Sequence, residues 1–157
     1  MYGGGRVGLM GILADAALAA GGEVTGVIPQ ALVDQEAAHG GLPDLRIVGS
    51  MHERKALMAD LSEAFIAMPG GFGTFEEFCE VLTWTQLGLH RKPCGLLNIE
   101  AYYDPLLALF DHAVSEEFLR AEHRRMVISD TQPDLLIDRL LRFQAPVAAK
   151  WIGRRGD

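Results

Sequence analysis

Apolar residues fall along this chain in two alternating rhythms. Short, nearly continuous apolar runs at 24–28, 45–48, 64–68, 94–99 and 126–129 have the length of strands and lack the in–out alternation of a half-exposed sheet. The segments between them carry helix signals. Ser50 followed by Glu53 has capping-box spacing ahead of 51–61, and Thr74 followed by Glu77 repeats it ahead of 78–87. Asp104-Pro105 and Gln132-Pro133 each place a proline where a first helical turn tolerates it. Strand and helix in alternation predict an α/β fold with parallel strands, right-handed crossovers and helices on both faces of the sheet.

A length of 157 residues suits one domain, which we read over 1–145. The stretch 146–157 loses periodicity, carries Lys150, Arg154 and Arg155, and reads as a frayed basic tail. At the other end, Tyr2-Gly3-Gly4-Gly5 has the form of a loop after a strand, yet almost no strand precedes it. Either a neighbouring element covers that edge of the sheet, or the chain lacks a first strand and helix.

Composition changes this picture in three places. The 18 glycines exceed the usual share of about 7%, and many gather at Gly3–Gly5, with Gly8 and Gly11, and at Gly70, Gly71 and Gly73. A formal charge of −7 argues against a general nucleic-acid surface, which needs cations to neutralise phosphates. Cys79 and Cys94 form neither a CxxC pair nor a disulfide framework, and no apolar run is long enough to span a bilayer. A reducing compartment, the cytoplasm, is the expected location.

The candidate chemistry centres on Met68-Pro69-Gly70-Gly71-Phe72-Gly73-Thr74, where a buried strand runs into a glycine-rich turn and then a helix expected to begin at Thr74. At the carboxyl end of a parallel strand, such a turn presents helix-start N–H groups and the positive end of the helix dipole. Gly71, Gly73 and Thr74 are therefore the candidate phosphate contacts. Glu77 has two readings. At capping-box spacing from Thr74 it can serve only the helix, with Glu76 as its solvated neighbour; beside an anion-binding loop, it can also face a cation developing on a bound ribose. Arg54 and Lys55 lie in the first turn of the preceding helix, where their charge opposes the dipole. Arg offers a bidentate fork to phosphate or carboxylate, and Lys a point charge. Gly3-Gly4-Gly5-Arg6-Val7-Gly8 formally matches a dinucleotide fingerprint, but the next strand ends Val27-Ile28-Pro29 with no acidic residue, so a glycine loop lining a mononucleotide pocket fits better. The five histidines show no metal-ligand spacing, and no serine-centred nucleophile elbow is visible.

Four ordered motifs carry a family resemblance: Tyr2-Gly3-Gly4-Gly5 with Val7-Gly8-Leu9-Met10-Gly11; Gly26-Val27-Ile28-Pro29; Met51-His52 with Arg54-Lys55; and Pro69-Gly70-Gly71-Phe72-Gly73-Thr74 with Glu77. From Met1 to about Asp130 the chain resembles the LOG ("lonely guy") family of cytokinin riboside 5′-monophosphate phosphoribohydrolases, whose members are often labelled lysine decarboxylases. The resemblance implies a Rossmann-like, doubly wound homodimer that uses no metal or organic cofactor and releases free base and ribose 5-phosphate from a nucleoside 5′-monophosphate. It implies Arg54 and Glu77 as the catalytic pair. It also implies substrate contacts at Glu36, Arg54, Lys55, Gly71, Phe72, Gly73, Thr74, Phe75, Glu76, Glu77 and Thr83. Two departures stand out: the family's first strand and helix are not represented, and Glu53 stands where a neutral residue is commoner.

Two other functions share these residues. A nucleotide-binding carrier or sensor would use the same pocket without turnover, and a pyridoxal phosphate decarboxylase would need Lys55 as its Schiff-base lysine. For assembly, Phe78, Val81, Leu82, Trp84, Thr85, Leu87 and Leu89 spread apolar character around more than one helix face, so a second copy of the chain is expected to pack near Trp84.

Overall fold

The computed structural model describes residues 1–35 and 37–145; Glu36 and the expected tail, 146–157, lie outside the described residues. The chain forms two compact units, Met1–Ser62 and the residues from Glu63 onward. Each holds its own open sheet of parallel strands flanked by helices, as the alternation predicts and consistent with the Rossmann-like fold that the resemblance implies.

In the first unit, α1 (Gly8–Ala19) is followed by β1 (Thr25–Pro29), α2 (Gln30–Val33), β2 (Asp44–Val48) and α3 (Met51–Leu61). β1 and β2 pair in parallel from Thr25 opposite Asp44 to Pro29 opposite Val48. On the other side of β1, Tyr2 accepts from the Val27 N–H and donates its own N–H to the Thr25 carbonyl, both at 3.0 Å. The residue before the glycine run thus pairs as strand. The sheet can close here only because Gly4 and Gly26 lack side chains: a Cβ on Gly26 would lie 2.9 Å from the Gly4 Cα. Gly4 also holds a φ of +70°, which favours glycine.

The Ser50 cap forms as its spacing predicts. The Ser50 hydroxyl accepts from the Glu53 N–H at 3.1 Å, and the Glu53 carboxylate accepts from the Gly49 N–H at 2.7 Å. That second bond gives the unusual Glu53 a local reason: its side chain closes the loop that enters α3.

The second unit runs β3 (Phe65–Ala67), α4 (Phe72–Gln86), β4 (Cys94–Leu97), a 3-10 turn (Ile99–Ala101), α5 (Asp104–Ser115), α6 (Ala121–Arg124), β5 (Val127–Asp130) and α7 (Pro133–Leu141). The prolines at 105 and 133 sit in the first turns of α5 and α7, as expected. The sheet order is β3-β4-β5, all parallel. Every residue of β4 is buried, and its side chains alternate between two cores. Cys94 and Leu96 join Ala67, Phe78, Val81 and Tyr103 on one face, whereas Leu97 joins Leu136 and Leu140 of α7 on the other. Gly95 lets α7 approach, since a Cβ there would come within 3.0 Å of Leu136. No described helix is long and apolar enough to cross a membrane.

Trp84 is half-buried. It packs with Leu82 against the Phe78–Tyr103 core of its own unit and meets His90 edge-on, with ring centroids 6.4 Å apart. The broad apolar character of α4 serves a wide contact with its own sheet, and the large apolar side chains left outside at this end of the helix are Leu87 and Leu89, 52% and 70% exposed.

Removing the Ser50 hydroxyl leaves the Glu53 amide without its cap. Ser50→Ala should therefore lower stability by about 1 kcal/mol, read from the midpoint of urea denaturation; an unchanged midpoint would show that water replaces the cap without loss.

Candidate functional site

The glycine-rich loop of the second unit leaves β3 at Ala67 and enters α4 two residues earlier than expected. Gly71 is the N-cap, with φ −95° and ψ −155° and no side-chain cap, and its carbonyl accepts the first helical bond from the Phe75 N–H at 3.1 Å. The anticipated Thr74–Glu77 capping box is thereby corrected. Thr74 lies inside the helix and Glu77 in its second turn, because glycine serves as a cap almost as well as a hydroxyl residue and takes the extended conformation freely. The amides of Gly71, Phe72, Gly73 and Thr74 precede that first bond and have no partner within the helix. Capping therefore does not account for the carboxylate of Glu77.

The glycines of this loop differ in kind. A Cβ on Gly70 would lie 2.2 Å from the Thr74 hydroxyl, so Gly70 is glycine because Thr74 folds back over it. A Cβ on Gly71 or Gly73 would meet nothing within 4 Å, and neither residue holds a positive φ. Packing among the described residues gives no reason for a missing side chain at either position, and in a helix Gly73 is worse than alanine.

Other expected contacts on α4 divide by burial. Phe72 is 92% exposed at the loop tip. Glu76 is exposed, and Thr74 and Glu77 are half-buried. Phe75 packs into the core, edge-on to Tyr103 with centroids 6.4 Å apart. Thr83 stands about 16 Å farther along the helix axis from Phe72 at the usual rise. Its hydroxyl donates to the Cys79 carbonyl at 2.7 Å. It lines a cavity of about 280 Å³ with Leu82, Gln86, Phe118 and Met126. The fold of one chain does not bring Thr83 to the loop.

The sequence reading missed three residues that support the loop. Asn98, Tyr102 and Tyr103 follow β4, whose carboxyl end lies beside that of β3. The Tyr103 hydroxyl donates to the Met68 carbonyl and the Tyr102 hydroxyl to the Gly70 carbonyl. Burial, with Tyr102 beside it, pushes the Tyr103 phenol up to about 12, so it remains a donor throughout the neutral range. The only signal was the adjacent pair of tyrosines one turn before Pro105, which reads equally well as core.

Arg54 belongs to the first unit. It is 8% exposed; its Nε donates to the Val27 carbonyl at 3.2 Å, and its Nη1 lies 3.8 Å from the Met51 sulfur. A Cβ on Gly3 would fall 1.9 Å from Nη2. The guanidinium thus occupies the space that Gly3 leaves bare. Lys55 is half-buried and His52 exposed on the same helix. Glu36 lies outside the described residues.

Neither cysteine suits nucleophilic chemistry. Burial pushes the Cys94 thiol up to about 12, and burial followed by the Glu76 charge raises Cys79. Among the described residues, no three His, Cys, Asp or Glu side chains gather as they would around a metal ion.

Known proteins share this arrangement of sequence. Residues 10–140 match the family described as "Possible lysine decarboxylase". The chain is 60% identical over 129 residues to the cytokinin riboside 5′-monophosphate phosphoribohydrolase of Rhodococcoides fascians, covering 82% of this chain and 65% of that protein. It is 54% identical over 129 residues to a probable cytokinin riboside 5′-monophosphate phosphoribohydrolase of Oryza sativa subsp. japonica, covering 82% and 58%. It is 46% identical over 144 residues to a cytokinin riboside 5′-monophosphate phosphoribohydrolase of Arabidopsis thaliana, covering 92% and 66%. The chain thus spans less than two thirds of the length of each of these relatives.

The two kinds of glycine separate in a denaturation experiment. Gly3→Ala forces Arg54 off its seat and should destabilise the protein by about 1–3 kcal/mol. Gly73→Ala should stabilise it by about 0.5–1 kcal/mol, because the helix gains propensity and nothing obstructs the methyl group. A destabilised Gly73→Ala would mean that the fold itself requires that glycine.

Proposed function

The chain belongs to the LOG family, and from that membership we propose that it hydrolyses the N-glycosidic bond of a nucleoside 5′-monophosphate, of the cytokinin riboside class named for its relatives. The observation that carries the reading is the open backbone at Gly71 and Gly73, beside four helix-start amides that need an acceptor.

In this mechanism the 5′-phosphate sits on the amides of Gly71, Gly73 and Thr74 and fixes the ribose. Glu77 faces the sugar and stabilises the positive charge that develops at the anomeric carbon as the bond to the base lengthens. The carboxylate also orients the water whose oxygen bonds to that carbon. The departing nitrogen of the base takes up the proton that the water gives up. Arg54 holds the substrate and supports the leaving base. Positioning and one carboxylate are enough for this chemistry, which calls for no metal or organic cofactor. Lys55, Phe72, Phe75, Glu76 and Glu36 belong to the same proposal as further substrate contacts. The cytoplasm is the proposed compartment, resting on two free cysteines.

Glu77→Gln should keep the fold and the affinity for AMP while lowering base release by at least about a hundredfold, since the amide keeps the shape but loses the charge. Base release is followed by chromatography and affinity by calorimetry. A wild-type protein that binds AMP but frees no base is a carrier or sensor, and a Glu77→Gln variant with full turnover removes the carboxylate from the mechanism.

A homodimer is part of the proposal, supported by the exposed Leu87 and Leu89 at the end of α4. Leu89→Glu, at a side chain 70% exposed, should shift the sedimentation coefficient from dimer to monomer. A wild-type protein that sediments as a monomer with full activity refutes the dimer.

A further inference from the structure

The turn after β4 is strained at two adjacent residues that are not glycine. Glu100 and Ala101 hold φ of 51° and 59°, a left-handed conformation that a Cβ disfavours. Such backbone persists only where its surroundings over-determine it. Here the buried Asn98 supplies the determination. Its side-chain oxygen accepts from the Tyr103 N–H at 2.6 Å, its side-chain nitrogen donates to Asp104 at 2.7 Å, and its own N–H donates to the Asp130 carbonyl at 2.8 Å. The result is that two consecutive tyrosine hydroxyls reach back onto the loop after β3.

The two tyrosines differ in what else they do. Tyr103 is 1% exposed and belongs to the core, so packing alone justifies it. Tyr102 is 45% exposed, and its hydroxyl grips the Gly70 carbonyl. That carbonyl shares a planar peptide unit with the Gly71 N–H, and in a trans unit the two point in opposite directions. Holding the Gly70 oxygen toward Tyr102 therefore aims the Gly71 N–H away from it. Gly71 is the N-cap and has no side chain to limit its rotation.

We propose that Tyr102 is a positioning residue of the anion loop: by holding the Gly70 carbonyl, it orients the Gly71 amide toward the phosphate of the substrate. This inference rests on the reading of Gly71, Gly73 and Thr74 as the phosphate contacts. Tyr102 acts through the loop and touches no reacting atom. The paired strain at Glu100 and Ala101 then has a purpose, since it turns the Tyr102 ring toward the loop when Tyr103 turns toward the core.

The test is Tyr102→Phe in the full chain, with dissociation constants for AMP, adenosine and inorganic phosphate and a thermal melt for each protein. The wild type must bind AMP at least about ten times more tightly than adenosine, as one phosphate anchored by oriented amides requires. Tyr102→Phe should weaken AMP and inorganic phosphate by about tenfold, leave adenosine unchanged and leave the melting temperature nearly unchanged. A wild type that does not discriminate AMP from adenosine overturns the phosphate reading and this inference with it. A wild type that discriminates, with a variant that discriminates equally well, overturns the role of Tyr102 alone. Equal weakening of AMP and adenosine with a lowered melting temperature also overturns it, because Tyr102 would then be a general support of the loop.

Discussion

A helix cannot satisfy the amides of its own first turn, and the second unit is organised around that deficit. A hydroxyl or carboxylate at the cap can resolve it, as Ser50 does for α3. At α4 the cap is Gly71, which has nothing to offer. The surrounding residues stabilise the loop through its other polar groups. Tyr103 and Tyr102 take the carbonyls of Met68 and Gly70, and the Thr74 side chain lies against Gly70. The loop is thus held through its carbonyls, while the amides at the start of α4 have no partner within the helix.

The first unit reaches a fixed geometry by a different route. Arg54 is buried, and burying a guanidinium is unfavourable unless its donors are met. One of them is met by the Val27 carbonyl, and the space for the group comes from the absence of a side chain on Gly3. Gly3, Gly4 and Gly26 are therefore glycines for internal reasons of contact and conformation. A side chain on Gly71 or Gly73 would meet nothing within 4 Å. Counting glycines does not distinguish the two kinds.

Much of the fold was legible because its signals are local or periodic. The five apolar runs became β1 to β5 with ends displaced by a residue or two, and the Ser50–Glu53 pair became a working cap. The same spacing at Thr74–Glu77 misled because two glycines upstream offered an earlier start, and a capping box read by spacing alone does not register that competition. Phe75 turned inward for a related reason: periodicity shows that a helix is apolar on several faces but not which face its own sheet covers. Asn98 and Tyr102 were invisible because their roles depend on two adjacent left-handed residues, Glu100 and Ala101, whose types give no hint of that conformation. The loop itself was legible because its glycines, proline and following helix lie within one short stretch.

The arrangement around β4 has a consequence for the order in which the protein can mature. One face of β4 is covered by Phe78 and Val81 of α4 and by Tyr103, all close to it along the chain. The other face, with Leu97, waits for Leu136 and Leu140 of α7, the last helix among the described residues. A chain emerging from the ribosome can therefore assemble the glycine-rich loop against a half-finished sheet, yet it carries an uncovered apolar surface at Met68, Leu97 and Ile128 until α7 is made. Covering that surface therefore falls to α7, more than 60 residues after Gly71 in the sequence.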